Sequence, residues 1–350
     1  LDTLGEALSK EDHIRRMHSQ FYKDRIRAAN RMLPHAPEYA TLAKAWSAVI
    51  RRSKSADTLL DQVSSELKNN AAYKFAKIAY ARKSDNHALS SALLLKAPRD
   101  QAILIDPDEW WTERRIASRA MIDKGEFQKA YDIVVGHASQ SSKAKVDAEF
   151  HAGFYALRFL NQPEKAVPHF KKILELATIP ATQARAHYWL GRSSSGSQAN
   201  SSFRNAARFS TTFYGQLAAQ KLGFEDLSLS SPIPTEVEKE RFSKRVTAQA
   251  IKRLEEIGYN KRAQILYQHL AETLNAEGEI ALSTLMAEKR DDPVLTLRLG
   301  KIAHYRGLNV DNLAWPIGAI PQEAKIENTG RALAYAIARQ ESAFNKKAVS

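Results

Sequence analysis

Helical periodicity runs through almost the whole of this 350-residue chain and constrains its fold more than any other feature. Apolar residues recur three and four positions apart, with charged residues between them, so each segment carries one apolar face when it is helical. Alternating runs of β-branched residues, which are typical of strands, are scarce. The pattern predicts an all-α fold. Clear examples are Ala71–Arg82, Arg114–Lys124, Phe150–Leu160 and Ala248–Ile257.

A weak internal repeat indicates how these helices are arranged. The hexapeptide Gly125–Ala130 is echoed 36 positions later by Asn161–Ala166, and a small residue followed by a ring one helical turn later recurs further along. A small residue lets two helices approach, and the ring fills the groove beside it. Periods in the mid-thirties are typical of tetratricopeptide-like helix pairs, so we predict a superhelical solenoid. The recurring pairs are Ala166 with Phe170, Ala199 with Phe203 and Ala263 with Tyr267.

Two proline-containing segments divide the chain. Three serines crowd two prolines in Asp226–Thr235, and Ala314–Pro321 holds two prolines that interrupt any helix. One new helix, Thr329–Phe344, is predicted after the second segment, where too few residues remain to bury a core alone. The predicted regions are a helical superhelix at 1–227, a helical linker domain at 228–312 and the opening fragment of a further domain at 313–350.

Composition limits the function classes. The chain has no cysteine, which excludes a disulfide framework, a thiolate metal site and a cysteine nucleophile. Lys and Arg number 52 against 39 Asp and Glu, and the net charge of +13 favours polyanionic partners: nucleic acid, anionic lipid or a polymer rich in carboxylates. No apolar run approaches the roughly 20 residues of a membrane-spanning helix, so we predict no transmembrane segment.

Glu341 is the candidate catalytic residue because of its position on the last predicted helix. Four-residue steps lead from Leu333 to Ile337 and then to Glu341, so the carboxyl group continues an apolar stripe. Burial favours the protonated form of a glutamate, which then serves as a general acid. On spacing alone the alternative is stronger, since most such glutamates turn outward or pair with a cation, here Arg339 or Lys346.

The sequence around Glu341 resembles a known family. Ala334–Ser350, which reads Ala-Tyr-Ala-Ile-Ala-Arg-Gln-Glu-Ser-Ala-Phe-Asn-Lys-Lys-Ala-Val-Ser, is similar to the opening of the catalytic domain of soluble lytic transglycosylases. Thr211–Gly223 and Ala186–Arg192 resemble parts of the helical superhelix of the same family. The order of superhelix, linker and catalytic opening also matches, although close similarity is confined to these short stretches.

This resemblance implies an activity and a site. The family has a goose-type-lysozyme-like catalytic fold and cleaves the β-1,4 bond between N-acetylmuramic acid and N-acetylglucosamine, forming a 1,6-anhydro sugar. Its single acid/base glutamate maps onto Glu341, and Ser342 would lie beside it as a substrate-binding residue. The family's later motifs, including a Gly-Leu-Met-Gln stretch, are missing, so we expect the chain to be incomplete and inactive alone.

The resemblance also implies where the protein works and what it binds. We expect a periplasmic location. Because the sequence starts at Leu1 rather than Met and no basic-then-apolar leader follows it, we also expect a targeting segment outside this sequence. The expected partners are peptidoglycan glycan strands, with other cell-wall enzymes as further candidates, and no nucleic acid. Neither a cofactor nor a metal is predicted, since the histidines form no ligand motif and His13 and His18 lie off a common helix face.

Three alternatives remain open. Trp110 and Trp111 have the stacking surfaces that sugars need, but two rings at the start of a helix usually serve packing. The whole chain also fits a non-catalytic helical-repeat module that binds proteins or cell-wall glycan. Nucleic-acid binding, a third reading, rests on charge alone.

Overall fold

A computed structural model of the chain describes residues 8–225, 229–290, 292–326, 330–345 and 347–349. Within these ranges it contains 22 α-helices, two 3₁₀ helices and no β-strand, which confirms the predicted all-α class. Several residues of the predictions lie outside the described ranges: Leu1, the start of Asp226–Thr235, Thr329, Lys346 and Ser350.

The helices follow one another with short connections. The first twelve are α1 (Lys10–Tyr22), α2 (Ile26–Asn30), α3 (Ala40–Ile50), α4 (Ala56–Asp61), α5 (Ser65–Lys68), α6 (Ala71–Lys83), α7 (His87–Leu95), α8 (Gln101–Leu104), α9 (Pro107–Asp123), α10 (Phe127–Val135), α11 (Ser142–Arg158) and α12 (Pro163–Leu176). The other ten are α13 (Pro180–Arg192), α14 (Gly196–Ala207), α15 (Phe213–Lys221), α16 (Glu236–Ser243), α17 (Val246–Glu256), α18 (Asn260–Thr273), α19 (Glu277–Glu288), α20 (Pro293–Tyr305), α21 (Asp311–Ala314) and α22 (Arg331–Glu341). The 3₁₀ helices are Leu33–His35 and Pro37–Tyr39.

Local sequence sets where these helices begin. The predicted Ala71–Arg82 differs from α6 by one residue at its end. Helix α9 begins at Pro107, three residues before the two rings predicted to open a helix, because the Asp106 carboxylate accepts a hydrogen bond from the Glu109 amide. Pro107 then occupies the first helical position, where a missing amide proton costs nothing.

The chain forms two compact units. The first comprises Leu1–Ala177 and Trp189–Ala199, and the second comprises Thr178–Tyr188 and Asn200–Ser350. Consecutive helices pack in pairs, as expected for a solenoid-like arrangement. The three predicted regions are a finer division than these two units and stay a prediction. No helix among the described residues has both the length and the apolar character to cross a bilayer.

The first unit shows the predicted pairing of small residues with rings. Ala166 and Phe170 on α12 are fully buried. The Phe170 ring lies over Gly153 of α11, where an added Cβ atom would be 2.8 Å from it. The missing side chain therefore lets α11 and α12 approach and gives the ring its place. Of the other predicted pairs, Ala199 and Phe203 are only half-buried.

The second unit has its own apolar core. Ala263 and Tyr267 on α18 are fully buried, as the repeat predicted, and pack in a cluster that extends from α16 to Val310. The start of α21 is fixed by Asp311, whose carboxylate accepts hydrogen bonds from the Ser230 amide and hydroxyl and from the Thr211 hydroxyl. These bonds hold the segment around Ser230 against the start of α21, which precedes α22 in the chain.

Candidate functional site

Helix α22, which carries the predicted acid/base, is anchored through one of its faces. Gly330 precedes it with φ +73°, a conformation that favours glycine. The Tyr335 hydroxyl accepts hydrogen bonds from the amides of Gly318 (2.9 Å) and Ile320 (3.3 Å) and donates to the Ile320 carbonyl. Arg331, one turn earlier, donates to the carbonyls of residues 320, 321 and 322. Side chains four residues apart thus hold the preceding loop against α22.

Arg339 completes this face. Its Nε donates to the Ala314 carbonyl at 3.0 Å, and its guanidinium group lies over the Trp315 ring, 4.7 Å from the centroid. The same ring meets His304 edge-on at 4.5 Å. Burial lowers the pKa of Arg339, and the amide donors from Gly318 and Ile320 lower the pKa of Tyr335 by stabilising its phenolate form.

A groove of about 740 Å³ lies between α22 and the Trp315–Gln322 loop. Its walls combine the rings of Trp315, Tyr335 and Phe344 with the guanidinium groups of Arg331 and Arg339. Among the residues that the structure describes, none of the groove's lining is acidic. The groove therefore offers positive charge and the half-buried rings of Trp315 and Tyr335, a combination that suits a sugar chain carrying carboxylates, while Phe344 is buried at its edge.

Glu341 is the last residue of α22, and its side chain is exposed. The predicted burial of its helix face is not found: Leu333 is 49% exposed and Ile337 is 53% exposed. The physical reason is that α22 packs through Arg331, Tyr335 and Arg339, which leaves the other face uncovered in the described chain. Arg339 is engaged by the Ala314 carbonyl, so the structure shows no pairing of Glu341 with it.

The turn after Glu341 is tightly wound. Ser342 ends the helix, and its hydroxyl donates to the Ala338 carbonyl at 3.0 Å. Ala343 and Phe344 both have positive φ values, 51° and 60°, which is unusual for residues with side chains. This turn buries the Phe344 ring against Tyr335, with the centroids 5.8 Å apart. Strained backbone of this kind clusters at functional sites.

The two candidate stacking tryptophans serve packing. Trp110 and Trp111 are 1% and 3% exposed. The Trp110 indole donates to the Tyr22 hydroxyl at 3.0 Å, and the Trp111 indole donates to Asp147 at 2.9 Å. Their surfaces are therefore unavailable to a sugar, and their polar atoms already have partners.

Sequence reasoning missed a titratable cluster in the first unit. The Glu149 carboxylate on α11 lies 2.6 Å from Nδ1 of His169 and 3.4 Å from Nε2 of His137. Burial opposes ionisation of Glu149, but its hydrogen bonds to the two histidines outweigh this and lower its pKa to about 2. The spacing of these residues, on α11, α12 and the turn after α10, carries no recognisable motif.

The groove was missed as well, although its signal was present. Arg331, Tyr335 and Arg339 are spaced by four residues opposite the Trp-Pro segment. No protein-family model matches the chain. A search of curated proteins finds no significant match either. The residues around α22 are therefore the main indication of function.

Proposed function

We propose that this chain is part of a periplasmic lytic transglycosylase that cleaves peptidoglycan, with Glu341 as its acid/base. The observation that carries the proposal is the Arg-Gln-Glu-Ser-Ala-Phe run at the end of α22, which ends beside a cationic groove lined with aromatic rings. The all-α arrangement of helix pairs is compatible with the superhelix of that family. Ser342 adjoins the acid/base as a candidate substrate contact.

The chemistry requires one carboxyl group. Glu341 protonates the oxygen between N-acetylmuramic acid and N-acetylglucosamine as the bond from C1 to this oxygen breaks, with assistance from the sugar's own N-acetyl group. The carboxylate then removes the proton from the 6-hydroxyl, whose oxygen bonds to C1. Water is not consumed, and the product is a 1,6-anhydro sugar. Ordinary retaining glycosidases need a second carboxylate as the nucleophile. Here the sugar's N-acetyl group takes that part, and the 6-hydroxyl then attacks in place of water.

The exposed position of Glu341 sets a condition on this proposal. A carboxyl group in water is ionised at neutral pH and is a poor proton donor. A bound glycan strand therefore has to cover Glu341 together with the uncovered Leu333 and Ile337. Apolar surroundings of that kind favour the protonated form.

The test uses the full-length gene product and purified peptidoglycan. We expect Glu341→Gln to reduce the release of anhydro-muropeptides by at least about a thousandfold, because no other group supplies the proton. Pelleting with peptidoglycan should be unchanged. Glu323→Gln, which removes an exposed carboxylate from the same part of the chain, is the matched control and should keep full activity. Normal product release by Glu341→Gln would remove this residue from the reaction.

The second candidate function is a non-catalytic module that binds protein partners or cell-wall glycan. The exposure of Glu341, Leu333 and Ile337 favours it, since a half-apolar uncovered face suits docking more directly than catalysis. It predicts peptidoglycan pelleting or partner capture with no anhydro product from the full-length protein. In that case Leu333→Ser would weaken binding, whereas Glu341→Gln would change nothing.

A further inference from the structure

The first unit contains a second cleft, remote in sequence from α22. It has a volume of about 370 Å³ and lies along α3, with walls from the end of α2 and from the start of α4. Small-molecule sites in proteins begin at about this size. Its lining combines two basic residues, Lys44 and Arg51, with an amide and three hydroxyl groups, and includes no acidic residue.

The two cations lie on one face of α3. Lys44 and Arg51 are seven residues apart, which places their Cα atoms about 10.5 Å apart along the helix axis. Both side chains are exposed, and neither forms an ion pair with any residue that the structure describes. Positions 8–55 hold eleven basic and four acidic residues, so the surrounding charge also favours an anion.

The polar groups between the cations supply hydrogen bonds. Ser47 is 7% exposed, and within the described ranges its buried hydroxyl has no hydrogen-bond partner. Buried hydroxyls in native proteins nearly always have one. Ser53 and Ser55, whose hydroxyls are 2.9 Å apart, also line the cleft, and Asn30 adds an amide. Two leucine and two alanine side chains form the rest of the lining.

We infer that this cleft binds a small molecule with two anionic groups, carboxylates or phosphates, that bridge Lys44 and Arg51. The hydroxyl groups of Ser47, Ser53 and Ser55 would then bond to the polar atoms between the two charges. The site is independent of Glu341 and of the proposed cleavage reaction. An anionic ligand here stabilises the first unit, because it binds the folded chain and not the unfolded one.

The experiment measures binding by isothermal titration calorimetry and amide chemical shifts in about 0.1 M salt. Two probes separate the sources of anion: the acetylated, amidated tripeptide Glu-Ala-Glu supplies carboxylates, and inorganic tripolyphosphate supplies phosphates. The uncharged tripeptide Gln-Ala-Gln is the blank. We expect saturable binding of at least one anionic probe, and the tighter of the two identifies the chemistry of the ligand. No saturable binding of either probe would overturn the proposal.

Variants test the assignment of residues. Lys44→Ala and Arg51→Ala should each weaken binding about threefold to fivefold, the effect of one exposed ion pair, and the double variant about tenfold or more. Arg16→Ala removes the same charge from exposed α1 and should change the affinity less than twofold. If Arg16→Ala weakened binding equally, the anion would be attracted by the general positive charge of this region and not by Lys44 and Arg51. That result would overturn the site. Ser47→Ala should weaken binding without lowering the melting temperature, and an unchanged affinity would overturn the role of this hydroxyl.

Discussion

Two arginines illustrate how the paired helices of the first unit differ from the segment around α22. Arg114 on α9 is 2% exposed and donates to the carbonyls of Leu94 and Ile133, at the ends of α7 and α10. Arg339 on α22 also donates to a carbonyl, that of Ala314, but it borders an open groove. Burial lowers the pKa of Arg114 to about 10, and burial also lowers the pKa of Arg339.

A guanidinium group donates to a backbone carbonyl in both regions, but its surroundings differ. In the first unit the guanidinium group satisfies helix C-terminal carbonyls that would otherwise be buried without a donor. Beside α22, similar contacts hold aromatic and cationic side chains at the edge of an open groove. Substitutions should therefore affect stability in the first region and binding or activity in the second.

The largest expected effect is that of Phe170→Ala in α12. The ring is fully buried over Gly153, and its loss leaves a cavity between α11 and α12. We expect the free energy of unfolding to fall by about 3–5 kcal/mol. Ile337→Ala, on the half-exposed face of α22, should lower it by less than about 1 kcal/mol. Urea denaturation of both variants measures the difference, and equal losses would contradict the comparison.

The two arginines give the next largest contrast. Arg114→Met keeps the bulk of the side chain but leaves the carbonyls of Leu94 and Ile133 without their donor. This should cost about 2–3 kcal/mol. In Arg339→Met, water that enters from the adjoining groove replaces the lost donor to the Ala314 carbonyl, so the cost should stay below about 1 kcal/mol. Thermal denaturation separates the two outcomes. If Arg339→Met were as unstable as Arg114→Met, the contact of Arg339 with the Ala314 carbonyl would serve stability in the same way as the buried contacts of Arg114.

Close approach of α11 and α12 is tested by Gly153→Ala. The added Cβ atom would lie 2.8 Å from the Phe170 ring, and overpacking of this kind costs about 1–3 kcal/mol. Phe170→Leu makes room for the methyl group, so the double variant should be more stable than the sum of the two single losses predicts. Additive losses would mean that the ring does not meet the new methyl group.

Most of the fold was accessible from the sequence, for a physical reason. Helix pairs in a repeat are stabilised by burial of each helix's apolar face and by contacts with the neighbouring pair. Both require apolar or small residues at fixed spacings in the sequence. Ala166, Phe170 and Tyr267 were therefore predicted as core positions and are buried. The exact helix starts were less accessible. The hydrogen bond that the Asp106 carboxylate accepts from the Glu109 amide fixes the start of α9, and a search for apolar spacing does not detect it.

The candidate site was less accessible than the fold. The stripe from Leu333 to Glu341 predicted a buried face, but packing of α22 was decided by the hydrogen bonds of Tyr335 and Arg339 to the preceding loop. A search for apolar periodicity does not detect hydrogen bonds of this kind between side chains and a loop. The Glu149 cluster was missed for a related reason, since its histidines come from separate elements that only the tertiary fold brings together.

The smallest expected effect concerns that cluster and depends on pH. The pKa of Glu149 falls from an ordinary value of 4.5 to about 2 in the folded protein. A depressed carboxyl pKa stabilises the fold fully above about pH 4.5, and this contribution is lost as the pH falls through about 2. Glu149→Gln should therefore lower the melting temperature between pH 5 and pH 7. The loss should be about 1.5 kcal/mol, the low end for a hydrogen bond to a charged group, because the glutamine amide oxygen still accepts a hydrogen bond. The difference from the wild-type protein should shrink steadily below pH 4.5.

Glu164→Gln is the control, since Glu164 is an exposed residue on α12, and its melting temperature should differ little from that of the wild-type protein at any pH. If the Glu149→Gln difference persisted unchanged down to pH 3, the two histidines would not be what holds this carboxylate ionised.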